Sequence, residues 1–571
     1  MTSLLMQPQL VETAAADLAE IRSEISEAKA AAAGPTTGVV AAAQDEVSAA
    51  AAKLFGGYAK DYQAVLAQAA AFHEEFAAAL ASAGSAYASA EAANASVIAA
   101  VQPTLQGTTI GLFMGGSADP IPPPSYVTAM LNYVNHNFNV LPSNAHVLFT
   151  PEGYYPLVLK SLPLTPSISQ GVQILDSAIK TTLAANPSGS VAVLGLSQSS
   201  DISSLEMINL ANPTLNPNPP TANQLGFTLT GNQMNPNGGF FARCPGFGGQ
   251  PLQFPALGLT LYGATPSNTI YPTNIFTIQY DGWADFPQYP INFVSDLNAV
   301  LGIAFVHGTY PSLNPSALPT GYDLVQLATS PGYYTNGGVT NYYMITTPNG
   351  LPLLDPLRLI PGIGNPLADL LQPDLTVIVN LGYGNPNFGY STGPADVQTY
   401  FGLFPHYSQA LIAQDLIAGA HQGTAAFVSD IHAEAAGVSL SSVSHSLTSM
   451  AGTGAADAHA LTHTLSSSSP ASIIADIQGA VTNTVNEISG TAANLYGALL
   501  PTADIVNTLT TVMPAYDVNL FLSGIQQAIN GNVLGGLQYA LVAPIAADTA
   551  FVTLASLIEL EVILNGFGLS L

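Results

Sequence analysis

Positive charge is almost absent from this chain. Eight lysines and arginines stand against 35 aspartates and glutamates over 571 residues, a formal net charge of -27, and no Lys or Arg follows Arg358. Binding a phosphate backbone requires clustered Lys and Arg, so nucleic acid is excluded as a partner. Anionic lipid headgroups make the same demand. A neutral, apolar or lipid-like partner fits better. Cysteine is limited to Cys244, which rules out an intrachain disulfide and a thiolate metal cluster. The histidines His421, His432, His445, His459 and His463 lack H-E-x-x-H spacing and a carboxylate pattern. No metal is expected, and with neither a G-x-G-x-x-G nor a P-loop pattern in the glycine-rich loops, no cofactor is expected either. Long clean apolar runs are missing too. "AFVTLASLIELEVILNGFGLSL" carries Glu559 and Glu561, and "VLGGLQYALVAPIAADTAF" is broken by Pro544 and Asp548. No transmembrane span is expected, and peripheral association with an envelope stays open. The start, "MTSLLMQPQLVETAAADL", has no basic n-region and does not read as a conventional signal peptide.

What is present divides into three textures. Residues 1–95 are Ala-rich, with Leu10, Ala14, Leu18, Ile21 and Ile25 at helical spacing, followed by a second helical pattern from about Val39 to Ala83. This predicts a helical hairpin whose apolar stripe wants a partner. From 105 to 430 short apolar runs alternate with helical patterns. "TTIGLFMGG", "HVLFTP", "SVAVLGL", "GFTLTGN", "NIFTIQY" and "LTVIVNLGYG" are predicted strands, and Ser167 to Asn186 a helix. That alternation predicts an α/β fold with a mostly parallel sheet. Residues 431–571 begin in Ala/Ser/Thr/Gly-rich sequence and end in helical periodicity.

Chemistry concentrates around "SVAVLGLSQSSDISSLEM", Ser190 to Met207. It reads as a buried strand, a tight corner at Ser197 and a helix, the way α/β-hydrolases present a nucleophile. The usual G-x-S-x-G is here Gly195-Leu196-Ser197-Gln198-Ser199. A helix beginning at the corner points its first N–H groups at the serine oxygen, so the Gln198 N–H is a natural oxyanion donor. The second donor should come from the loop after the first strand, "MGGSADP", where Gly116 and Ser117 offer a backbone N–H or a hydroxyl. A serine nucleophile needs a base and an acid downstream in the order Ser, Asp, His. "YDGWADFPQYP" supplies Asp281 and Asp285, and "VHGTY" supplies His307, with His406 in "FPHYS" as a competing base.

These residues resemble a known group. "LFGGYAKDYQAVLAQAAAFHEEF" and the closing "YASAE" resemble the PE domain of mycobacterial proteins, with Pro8-Gln9 where the namesake Pro-Glu would stand. Tyr87 and Glu91 fit the Y-x-x-x-[DE] signal that family uses for type VII secretion. "MGGSADP", "GLSQSS", "YDGWADFPQYP", "VHGTY" and "LGYG" resemble the PE-PPE domain, a serine α/β-hydrolase related to cutinases. The resemblance implies Ser197 as nucleophile, His307 as base and an aspartate of "YDGWADFP" as acid. Asp285 is favoured for its place farther into the loop, with Asp281 the alternative. It also implies a PPE protein as partner of the hairpin, and a secreted or cell-surface location. The expected activity is hydrolysis of acyl esters. Transfer of a fatty acyl group to a sugar or glycolipid acceptor, and a non-catalytic surface interaction protein, are the alternatives.

Overall fold

The computed structural model describes residues 103–437 (apart from 159, 160, 349 and 406), residues 500–566, and parts of 33–63. The chain divides into two compact units, Met1–Gln102 and Pro103–Leu571. Within the first, residues 46–57 are helical, Gly56 and Gly57 included. The predicted helix near Leu10 and the Tyr87/Glu91 signal lie outside the described residues.

The second unit is built on a seven-stranded sheet of order β2-β1-β3-β4-β7-β9-β8. The strands are β1 (Thr109–Phe113), β2 (Val140–Val147), β3 (Ser190–Leu196), β4 (Leu225–Thr230), β7 (Thr273–Ile278), β8 (Asp323–Gln326) and β9 (Thr340–Thr346). β5 (Leu252–Phe254) and β6 (Leu259–Leu261) form a separate antiparallel pair. Every neighbour pair in the main sheet is parallel except β8 with β9. Alternation along β3 shows why these residues make a central strand. Val191 and Val193 enter one apolar cluster, while Ala192, Leu194 and Leu196 enter another on the opposite face. β3 and β4 are buried at every position, as expected of parallel strands covered on both sides.

Helix α1 (Pro124–Val134) covers one face with Tyr126, Met130, Tyr133 and Val134. Helices α2 (Leu164–Ala185) and α3 (Gln198–Leu210) cover the other. They are followed by α4 (Phe293–Phe305), α5 (Gly364–Leu381) and α6 (Gln409–Gly437). The chain passes from β1 to β2 on one side and from β3 to β4 on the other, so the connections diverge between the neighbours β1 and β3. Loops after the carboxyl ends of β1 and β3 therefore open a crevice there, where open α/β sheets hold their ligands.

Two predicted strands need correction, and one strand is not among the predicted ones. "LTVIVNLGYG" is not a strand but runs through the end of α5. Its β-branched Thr376 to Val379 favour a strand locally, yet packing decides: Ser295 Oγ and Asn292 Nδ2 hold the Val379 and Ile378 carbonyls. "HVLFTP" contributes only His146 and Val147 to β2. β9, "TNYYMIT", carried too much Thr, Asn and Tyr to stand out, but lies parallel to β7 in the core.

The C-terminal region is a long helical pair. A π-helical turn (Thr508–Val512) leads into α7 (Met513–Ile529), and α8 runs from Val533 to Gly566. Met513, Tyr516, Leu520, Phe551 and Leu554 join the same cluster as β3 and α2. α8 passes unbroken through Pro544, so the apolar run is longer than the sequence reading allowed. Val533–Leu564 contains a stretch of mean hydropathy 1.8 and is long and apolar enough to cross a membrane, although 39% of that stretch is buried. A proline inside a helix removes one hydrogen bond and clashes with the preceding turn. Pro544→Ala should therefore raise the stability of the unit, by about 1–3 kcal/mol. Urea unfolding followed by circular dichroism checks this; an unchanged or lower midpoint would show that α8 needs its proline to fit the core.

Candidate active site

Ser197 sits between β3 and α3 at φ 57, ψ -122, a conformation that non-glycine residues rarely hold without surrounding support. The support is visible. The Ser197 N–H donates to the Thr230 carbonyl at 2.9 Å, and Ser200 Oγ donates to the same oxygen at 2.9 Å. Thr230 Oγ1 donates to the Gly195 carbonyl at 3.0 Å. A Cβ at Gly195 would lie 2.6 Å from the Ser199 carbonyl oxygen, so the corner closes only around glycine. Ser199, the departure from the usual motif, acts as a clamp. Its Oγ accepts the Leu196 N–H at 2.8 Å and donates to the Leu196 carbonyl at 3.1 Å.

His307 opens a 3₁₀ turn (His307–Ser312) after α4. Its Nε2 lies 2.8 Å from Ser197 Oγ and its Nδ1 2.8 Å from Asp281 Oδ1. With the proton on Nδ1 the ring donates to the carboxylate and turns an Nε2 lone pair to the serine hydroxyl. Asp281 is fully buried. Its Oδ1 also accepts the Trp283 N–H at 3.1 Å, and its Oδ2 accepts the Tyr310 hydroxyl at 2.6 Å. Gly231, at φ 56 just after β4, faces the base: a Cβ there would lie 2.9 Å from His307 Cε1. Tyr310 and Gly231 escaped the sequence reading. The three-residue step from His307 to Tyr310 in "VHGTY" was the available signal for the first.

Asp285 does not reach His307. The Asp285 N–H bonds back to the Asp281 carbonyl at 2.6 Å, and this tight turn carries its side chain away. Asp285 Oδ2 instead accepts the Tyr280 N–H at 3.0 Å, bracing a residue held at φ 66. Burial pushes the Asp285 carboxyl well up, against the nearby Arg243 guanidinium. The favoured acid is thus corrected to the alternative, Asp281, on geometry. His406 lies outside the described residues.

Gly116, Ser117 and Gln198 converge on Ser197. A Cβ at Gly116 would stand 3.4 Å from Ser197 Cβ. Ser117 Oγ donates to Gln198 Oε1 at 3.0 Å, and Gln198 Nε2 donates to Ser167 Oγ at 2.6 Å. The Ser117 hydroxyl is thereby tied to a side chain, while the Gln198 N–H belongs to the first turn of α3, where helices lack internal partners.

Residues 4–94 match the PE family and residues 142–384 the PE-PPE domain. Three of the relatives come from Mycobacterium tuberculosis. The PPE family protein PPE28 is 45% identical over 459 residues, 80% of this chain and 65% of that one. Esterase PE16 is 42% identical over 410 residues, 70% of this chain and 71% of its own length. PE family protein PE3 is 43% identical over 436 residues, 74% and 87% respectively. The chain belongs to the PE family.

Behind the 114–120 loop of this PE-family chain lies an acidic cluster. Glu152, at φ 48, is buried, and its carbonyl accepts the Ala118 N–H at 2.8 Å. Burial pushes its carboxyl up to about 8, with Asp119 adding to the rise and the Thr150 hydroxyl opposing it. Asp201 nearby is also pushed well up, by burial and then by Glu152. A carboxyl raised on folding stabilises the fold below its ordinary range, and that contribution is lost as pH rises through about 8. Glu152→Gln should therefore lose less thermal stability between pH 7 and pH 9 than the parent chain. Melting curves across that interval test it; parallel losses in both proteins would show that Glu152 does not titrate there.

Proposed function

We propose that the protein is a serine esterase that cleaves acyl esters through an acyl-enzyme on Ser197. The observation that carries this reading is the Ser197–His307–Asp281 relay, with both of its contacts at 2.8 Å, mounted on a strained strand-to-helix corner. Similarity to Esterase PE16 supports the reaction class. Ser197 Oγ attacks the ester carbonyl as its proton passes to His307 Nε2. Asp281 faces the imidazolium that results and holds the ring in place. The Gln198 N–H, with a backbone N–H from the Gly116–Ser117 loop, receives the oxyanion. His307 then protonates the departing alkoxide. A water deprotonated by His307 attacks the acyl-enzyme, Ser197 recovers its proton, and the carboxylic acid leaves.

Ser197→Ala should abolish both fluorophosphonate labelling and hydrolysis of p-nitrophenyl esters while melting like the parent protein. Asp281→Asn should lower kcat by about 10³–10⁴-fold, in line with loss of the acid from such a relay. Asp285→Asn, where it folds, should lose less than about tenfold, since that carboxyl braces a turn. Full activity in Ser197→Ala, or a larger loss from Asp285→Asn than from Asp281→Asn, would overturn the assignment. Product analysis with an added sugar or glycolipid alcohol distinguishes hydrolysis from acyl transfer to that acceptor.

The PE region supports a second element of the reading. We propose that residues 1–95 pair with a PPE-family protein, and that the Tyr87/Glu91 signal directs export to the cell surface by a type VII system. Co-expression should yield a complex with a PPE protein that is lost when residues 1–95 are removed. Alteration of Tyr87 or Glu91 should keep the protein inside the producing mycobacterium. A complex that survives the truncation, or export that survives the alterations, would refute the corresponding part.

A further inference from the structure

The site as described leaves the acyl chain without a place, and an apolar cavity supplies one. Its volume is about 60 Å³. One wall comes from the sheet side, with Tyr154, Phe240 and Trp283, and the other from the C-terminal helices, with Met513, Phe551 and Leu554. Trp283 is part of the acid loop: its N–H bonds Asp281 Oδ1 at 3.1 Å. Tyr154 lies against it, ring centroids 5.8 Å apart. The Gly153 N–H just before Tyr154 donates to Ser167 Oγ, which also receives Gln198 Nε2. The wall is therefore one hydrogen bond from the acid, Asp281, and two from the residue following the nucleophile. Both of its anchor segments follow carboxyl ends of strands, Tyr154 after β2 and Trp283 after β7, on the edge where Ser197 stands.

We propose that this cavity is the acyl-chain site of the esterase, with the C-terminal helical pair as its roof; the proposal rests on the esterase reading above. Polar groups at the roof are few, so what the cavity recognises is an uncharged alkyl chain. Size sets its length. An apolar cavity of about 150 Å³ holds a benzene molecule, so 60 Å³ takes only a few methylenes. Short-chain esters fit the roof as it stands. Longer chains need the helices displaced, against the Tyr155 hydroxyl bond to Asp504 Oδ2 at 2.8 Å that ties the sheet side to the roof. The π-helical turn Thr508–Val512 falls on the cavity lining, at Thr508 and Leu509, and such turns recur where a helix is shaped around a site.

Trp283 is the single tryptophan of the chain, so its fluorescence reports on this cavity alone. With the full-length Ser197→Ala protein, bromoalkyl alcohols of 4 to 12 carbons should quench it saturably, short chains most efficiently, while the bromine-free alcohols quench little. Each methylene that enters should tighten binding about fourfold. Ala555→Phe, which fills the cavity, should abolish the saturable quenching. In the active protein the same filling should lower kcat/KM for p-nitrophenyl hexanoate at least about tenfold relative to acetate. Phe551→Ala, which enlarges the cavity, should move the preferred chain length upward by two carbons or more. Quenching that does not saturate, or that persists unchanged in Ala555→Phe, would overturn the proposal. Absence of hydrolysis and of fluorophosphonate labelling would instead remove the esterase reading, because quenching is read in a protein that cannot turn over.

Discussion

The backbone of Ser197 is the constraint around which the rest of this unit is arranged. A serine at φ 57, ψ -122 is uphill by about 1–3 kcal/mol and persists only where its surroundings over-determine it. Here they do so from three directions. β3 supplies Gly195 and the Leu196 peptide clamped by Ser199, β4 supplies the Thr230 carbonyl, and α3 begins at the next residue. The first turns of α3 are almost entirely buried, which is unusual for a helix carrying Ser199, Ser200, Asp201, Ser203 and Ser204. Their hydroxyls return to the backbone of the corner or of the preceding turn. The serine-rich sequence is thus structural at Ser199, Ser200, Ser203 and Ser204, while Ser197 turns its hydroxyl to His307.

The second constraint is the shortage of cations. With 8 bases for 35 acids, most carboxylates near the site must be stabilised without an ion pair. Asp281 shows how. It is fully buried, and beyond His307 it is held by two neutral donors, the Tyr310 hydroxyl and the Trp283 N–H. Tyr310 Oη in turn accepts the Ile278 N–H at 3.0 Å, and the Tyr133 hydroxyl donates to the Tyr310 carbonyl at 3.1 Å. The acid is therefore aimed by a chain of hydrogen bonds reaching into the core under α1. Glu152, Asp201 and Asp285 have fewer donors, and burial pushes all three up.

Much of this was legible in the residues, for reasons that also mark the limits. β1, β3, β4 and β7 declared themselves because both faces are buried and the runs are continuously apolar. The corner declared itself because strain selects Gly195 and small neighbours. His307 was found by chain order. Asp281 and Asp285 were not separable, since both lie in one turn and only the Asp285 N–H bond to the Asp281 carbonyl decides which side chain faces the base. α5 was misread because Thr376 to Val379 carry a strand's composition inside a helix. α8 was divided at Pro544 because a proline is a local signal, while the burial that carries the helix past it comes from residues far away in sequence. Contacts of that range leave no periodicity to read.

The same reasoning explains the character of the C-terminal helices. With no Lys or Arg after Arg358, they bring no cation of their own to the core. What holds them is apolar burial of Met513, Tyr516, Phe551 and Leu554, with hydroxyl-to-carboxylate bonds such as Tyr155–Asp504 at the rim. Hydrophobic contact is non-directional and scales with area. A roof attached in this way can shift over its floor and re-form contacts of similar worth, whereas one pinned by buried ion pairs could not without stranding a charge. The lack of basic residues thus also bears on how this part of the fold is joined to the sheet, by an apolar surface beside the acid loop of the site.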